Sequence, residues 1–230
     1  MTAAAKHEEN LDGVRHRFEW DADGFAAIYR LERSFWSRTF NRVFRKAVFE
    51  RYDITFREAS DVVGKSVLDV GCGSGVYSVD FARRGAKRVV GVDFSTNMLR
   101  IAREEARGAG VSDVCEFREG DFLHLSDDER FDVVFAMGVF DYLADPGPFL
   151  RKMAATSRGK TLASFPGRSF VRGSARRLRY RLTGRGDVHF YREAEVRELA
   201  GRAGFASYEI IRITSSGGGF ILVGSSASAG

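Results

Sequence analysis

At 230 residues, with 44% hydrophobic and 29% charged side chains, the chain has the composition of one globular domain with a sizeable core, which excludes a disordered or fibrous protein. Its formal charge of +5, from 36 basic and 31 acidic side chains, favours anionic partners without demanding nucleic acid. Cys72 and Cys115 are too few for a disulfide framework or a metal cluster, so a reducing, cytoplasmic compartment is expected and no metal site is.

The N-terminus, MTAAAKHEEN, is polar, and no apolar run approaches the roughly 20 residues that cross a bilayer, so neither a signal peptide nor a membrane span is expected. Residues 25–49 are aromatic and basic, with Trp36, Phe40, Phe44 and Val48 at the four-residue spacing that stacks side chains on one helical face. They predict one or two helices, an N-terminal helical cap within residues 1–60. The main domain is expected over residues 61–223. It opens with a short apolar strand, 66–70, a glycine-rich turn and a helix over 76–84. Strands follow at 88–92, 114–119, 131–136 and 160–164, with helices over 97–109, 148–156 and 192–203. Two last strands, 208–213 and 220–223, flank a turn at 215–219. This alternation predicts an α/β fold: a doubly wound, mostly parallel seven-stranded sheet closed by a C-terminal antiparallel hairpin. Residues 224–230 (GSSASAG) are expected to be a flexible tail.

Gly71, Gly73 and Gly75 fall where the first strand turns into its helix, and glycines there let backbone N–H groups approach a ligand. Asp93 ends the second strand, where a carboxylate can accept from both hydroxyls of a ribose. The spacing is G-x-G-x-G, with Val76 where a dinucleotide fingerprint has its third glycine, so a nucleoside other than NAD is favoured.

With VLDVGCGSG at 67–75, VVGVD at 89–93 and GDF at 120–122, the chain resembles the class I S-adenosylmethionine-dependent methyltransferases over roughly residues 66–165. The resemblance implies S-adenosyl-L-methionine as cofactor and S-adenosyl-L-homocysteine as product. It implies Asp69 near the methionine amino group, and the Gly71, Cys72, Gly73 and Gly75 loop around the methionine and ribose. Asp93 would take the ribose hydroxyls, Phe94 the adenine ring and Asp121 its exocyclic amine, with Phe122 and Met98 flanking the ring. Asp121 also reads as turn chemistry, and Phe94, Phe122 and Met98 also read as core.

Acceptor contacts in this family tend to follow the fourth strand, here MGVFDYLADP at 137–146. Asp141 and Tyr142 depart from the family's common Glu or His; Asp141 suits orienting or deprotonating an acceptor, capping the next helix, or bonding the cofactor from behind. His189 is the leading general base, since imidazole exchanges protons near neutrality, with a surface or helix-capping role as its alternative. His124, His7 and His16 rank below it. The Asn-Pro-Pro-Tyr type segment of exocyclic-amine methyltransferases is absent after the fourth strand, and neither cysteine sits where a cytosine-C5 nucleophile would.

Residues 168–185 hold seven arginines and no acid, with Val171, Ala175, Leu178 and Leu182 at helical spacing. Within an insertion at 166–188, they suit a lid over an anionic acceptor, a membrane-surface helix or a solvated face. The sequence points to O- or N-methylation of a small-molecule or lipid-like, anionic acceptor, with nucleic acid disfavoured as partner. The alternatives are a non-catalytic cofactor-binding module and an RNA methyltransferase using the basic stretch.

Overall fold

The computed structural model describes residues 38–126, 128–167, 189–215 and 218–226, and for 38–45 the backbone alone. The first 37 residues, with His7, His16 and Trp36, and the basic stretch 168–185 lie outside the described residues. In chain order the elements are α1 (Arg38–Glu58), β1 (Ser66–Val70), α2 (Val76–Arg83), β2 (Arg88–Asp93), α3 (Thr96–Gly108), β3 (Cys115–Glu119) and a 3-10 turn (Phe122–His124). Then follow β4 (Phe131–Ala136), α4 (Pro146–Thr156), β5 (Ser157–Pro166), α5 (Glu193–Gly201), β6 (Ser207–Ile213) and β7 (Gly219–Ser225).

The strands form one seven-stranded sheet in the order β3-β2-β1-β4-β5-β7-β6. β1 to β5 pair in parallel, and β7 enters antiparallel between β5 and β6. The order reverses between β1 and β4, and in an open parallel sheet such a switch leaves a crevice at the carboxyl ends of the strands.

Alternation along the central strands sorts their side chains onto two cores. Val67, Val89, Val133 and Phe135 pack with Phe56 of α1 and Tyr77 and Phe81 of α2. The intervening Leu68, Val90, Val134 and Ala136 pack with Phe149, Leu150 and Met153 of α4 and Val196 and Ala200 of α5. Phe81 and Phe135 are fully buried with ring centroids 4.9 Å apart, and each such ring contributes roughly 1.5–3 kcal/mol of burial. A third group, Leu99, Ala102 and Ala106 of α3 with Cys72 and Phe117, supports the first turn from the side.

Among the boundaries that differ from expectation, two have a clear packing cause. α1 runs on to Glu58, because Ile54, Thr55 and Phe56, a poor helical triplet by propensity, are all buried against the sheet. β7 runs to Ser225, so the segment expected as a tail starts later. The ring of Phe205 covers Gly224 so closely that a Cβ there would lie 2.5 Å from it, and Ser226 N–H continues the pairing to Gly159 O at 2.9 Å. No described helix is long and apolar enough to cross a membrane.

Candidate active site

The carboxyl ends of β1 and β2 carry the first half of the site. Gly71 N–H and Cys72 N–H both donate to Val92 O, at 2.8 and 3.0 Å, which folds the chain leaving β1 over the end of β2. Gly71 has φ +70°, and a Cβ on it would lie 2.4 Å from Cγ2 of Val139, so the glycine admits the loop after β4 to close contact. Gly73, at φ +52°, has nothing within 4 Å of its Cβ position, which leaves that stretch of backbone open to a ligand. Gly75 is the N-cap of α2, which turns the first helical N–H groups toward the same opening.

Two buried carboxylates stand beneath this loop. Asp69 is 2% exposed, and its Oδ2 accepts from Ser78 Oγ at 2.6 Å. Burial, with the charge of Asp93 nearby, pushes its pKa up to about 7 against a weaker opposing effect of the Ser78 bonds. Both partners are neutral, so a bound ammonium would offset the burial of this charge. Asp93 is 8% exposed; its Oδ2 accepts from Gly73 N–H at 2.8 Å and its Oδ1 from Ser95 N–H at 2.9 Å. Burial raises its pKa as well. The backbone of Phe94 bonds Asp93 too, and a carboxylate has about four acceptor sites, so capacity remains for a ligand hydroxyl. The open backbone at Gly73, the under-compensated Asp69 and the spare acceptors of Asp93 together fit a nucleoside bearing an amino acid.

Of the other residues expected at the cofactor, Phe94 is half-buried at the end of β2. Cys72 is buried, its thiol held neutral by burial, and packs with Phe117 and Ala102. Asp121 N-caps the 3-10 turn, accepting from Leu123 N–H at 3.0 Å and lying 2.9 Å from Nδ1 of the exposed His124. Phe122, expected beside the adenine, goes into the core at 4% exposure with its ring edge-on to Phe149. Met98 is buried in the first turn of α3, its N–H capped by Ser95 Oγ at 3.3 Å.

The second half is the loop after β4. Gly138 N–H donates to Ser164 Oγ at the end of β5, 2.8 Å away, and Tyr142 N–H to Val139 O at 3.0 Å, which makes the loop a tight turn beside Gly71. Asp145, not Asp141, caps α4, accepting from Gly147 N–H at 3.2 Å. Asp141 O instead accepts from His189 N–H at 2.8 Å, so two expected acid–base residues meet where the chain re-enters after β5. Tyr191 fixes that re-entry: its N–H donates to Pro166 O at 2.8 Å and its O–H to Phe140 O at 3.1 Å. His189 does not cap α5, whose N-cap is Arg192. Its residue lines an open groove of about 310 Å³ with Ala144, Pro146, Glu195 and Leu199.

Sequence reasoning did not single out Arg51, Thr55, Ser78, Val139 or Ser164. Thr55 Oγ1 bonds Sδ of Met137 at 3.5 Å, which lays α1 on the start of the loop after β4. Most of these pairs join positions far apart in the chain; Ser78, in α2, lies nine residues after Asp69. Among the described residues no three His, Cys, Asp or Glu side chains are grouped to hold a metal.

Residues 61–226 match a family model described as a methyltransferase domain. A ubiquinone biosynthesis O-methyltransferase from Azorhizobium caulinodans is 35% identical over 167 residues, 67% of this chain and 64% of that protein. A methyltransferase from Streptomyces halstedii, GfsG, is 33% identical over 112 residues, 48% of this chain and 38% of that protein. The chain thus spans less than two thirds of the length of these relatives. Among solved structures, magnesium protoporphyrin IX methyltransferase from Synechocystis with bound SAH superposes with a TM-score of 0.77 at 20% identity, covering 95% of this chain and 100% of that one. That likeness is one of fold.

Proposed function

The chain belongs to the class I S-adenosylmethionine-dependent methyltransferase family, and we propose that it O-methylates a small or lipid-like, anionic acceptor seated at the loop after β4. The observation that carries the acceptor side is the Asp141–His189 backbone bond, which brings a carboxylate and an imidazole residue to a turn whose Val139 already rests on the cofactor loop. Oxygen is preferred over nitrogen because the ubiquinone biosynthesis O-methyltransferase from Azorhizobium caulinodans is 35% identical to this chain over 167 residues.

When bound, S-adenosylmethionine supplies a methyl group on a sulfonium, already activated for transfer. The protein then has to hold, align and deprotonate. Asp69 would offset the methionine ammonium, the backbone at 71–75 would hold the methionine and ribose, and Asp93 would accept from the ribose hydroxyls. Phe94 would hold the adenine ring and Asp121 would accept from its amine. His189 takes the proton from the acceptor hydroxyl, Asp141 orients that hydroxyl, and Tyr142 lines the same mouth.

The test is release of S-adenosylhomocysteine with hydroxyaryl acids as acceptors. His189→Ala is expected to lower kcat by roughly 10²–10⁴-fold and to flatten the acidic limb of its pH profile, with S-adenosylhomocysteine affinity unchanged. An unaltered kcat and pH profile would remove His189 from the proton transfer.

A further inference from the structure

We propose that Arg51 of α1 is the residue that binds the acceptor's anionic group, a carboxylate, and so sets both the substrate class and its orientation. This inference rests on the acceptor lying at the loop after β4. The guanidinium is placed on that loop: a Cβ at Gly138 would lie 3.3 Å from Nη1, 3.9 Å from Nη2 and 4.0 Å from Cζ. Gly138 has φ +86° and no side chain, so the arginine covers bare backbone directly after Met137. The next residue, Val139, is the one pressed on Gly71. A positive fork and the glycine loop therefore adjoin the same turn, one at Gly138 and the other at Val139.

The helix that carries Arg51 is anchored on both sides of it. Glu50 accepts from Thr214 N–H at 2.7 Å, Thr214 Oγ1 at 2.9 Å and Ser215 N–H at 2.7 Å. Thr55 Oγ1 donates to Arg51 O at 2.8 Å and bonds Met137. The backbone that carries the guanidinium is thus fixed before a ligand arrives, which lowers the ordering cost of binding. Its planar donors match a carboxylate in two parallel bonds, and it keeps its charge at every working pH. An acceptor held there by its carboxylate presents its far end, where a hydroxyl would stand, toward the glycine loop. The carboxylate is the handle, and the hydroxyl is the methylated group.

The experiment is calorimetric titration of benzoate and of its neutral analogue benzamide into the full chain saturated with S-adenosylhomocysteine. Benzoate is expected to bind at least about tenfold more tightly than benzamide, as charge-assisted paired bonds give. Arg51→Ala should erase that difference, Arg51→Lys should keep part of it, and neither should change S-adenosylhomocysteine affinity, which also reports that the variants are folded. Equal affinity for the two probes in the wild type, absence of binding by both included, overturns the proposal, as does a difference that survives Arg51→Ala. A second arm separates this idea from the reaction itself: turnover of 3,4-dihydroxybenzoate against catechol. If neither is methylated while the benzoate preference stands and depends on Arg51, the O-methylation reading fails and the anchor remains. If both are turned over with the same KM, the anchor fails and the reaction remains.

Discussion

Asp69 and Gly71 show at single residues what the site asks of the fold. The pKa of Asp69 is raised by burial from an ordinary 3.8 to about 7, so its contribution to stability is fully present below about 4 and is lost as pH rises through 7. Glu50 and Asp132 have the opposite sign. Though burial pushes each upward, the hydrogen bonds of Ser215 and Thr214 on Glu50, and of Ser66 and Arg158 on Asp132, hold both near 2, and their contribution is lost only as pH falls through that value. Between pH 5 and 8 those two are constant. Chemical denaturation of the cofactor-free protein should therefore give a midpoint that falls from pH 5 to pH 8, and Asp69→Asn should reduce that slope, leaving the part due to Asp93, whose pKa burial also raises. The same variant should weaken S-adenosylhomocysteine at pH 8, where the carboxylate is charged. Gly71→Ala places a methyl 2.4 Å from Val139 at a left-handed φ, a strain of about 1–3 kcal/mol, and should reduce cofactor affinity roughly tenfold or more in a binding titration. Asp69, the glycines and Asp93 were legible from sequence because their spacing reflects one continuous strand-turn-helix. The packing of Phe122 on Phe149 was not: GDF reads alike whether its ring meets a ligand or turns inward, and α4 supplies the ring it meets.

Among the elements, β4 matches its expected span of 131–136, since both neighbours are parallel strands and its side chains are apolar on both faces. β5 was expected only over 160–164 and runs Ser157–Pro166, because the polar start, Ser157 to Gly159, pairs with β4 across a register shift. Gly159 is needed there: a Cβ would lie 2.3 Å from Asp132 O. α1 was legible as an amphipathic helix but not in its length or role. Nothing local in the sequence tells that Glu50 holds the turn after β6 or that Arg51 reaches Gly138. Glu50→Gln leaves a neutral acceptor for charged-group bonds and should destabilise the protein by about 1–2 kcal/mol. Hydrogen exchange in α1 should rise before exchange in β1 or β4 does. Equal protection of α1 in both proteins would show that packing of Phe56, rather than the Glu50 bonds, holds the helix.

In the whole molecule, the parallel strands deliver both halves of the site to one edge of the sheet. β1 and β2 end in the glycine loop and Asp93, β4 in the turn that carries Val139 and Asp141, and β5 in Ser164, which holds that turn by Gly138 N–H. The antiparallel β7 pairs with β5 along its length and supports this edge without contributing a named site residue. The donor half belongs to the sheet, so it was written in local motifs. The proposed acceptor half would draw on α1, the loop after β4 and the re-entry at His189, pieces that are distant in the sequence. The most direct test of that division is to incubate the protein with S-adenosylmethionine and the hydroxyaryl acids, and to follow by mass spectrometry the acceptor and the S-adenosylhomocysteine together. The expected result is one methyl gained on an acceptor oxygen in step with S-adenosylhomocysteine, lost in Asp93→Ala through weakened cofactor binding. S-adenosylmethionine bound by the protein and recovered intact, with every acceptor unmodified, would contradict the proposed reaction.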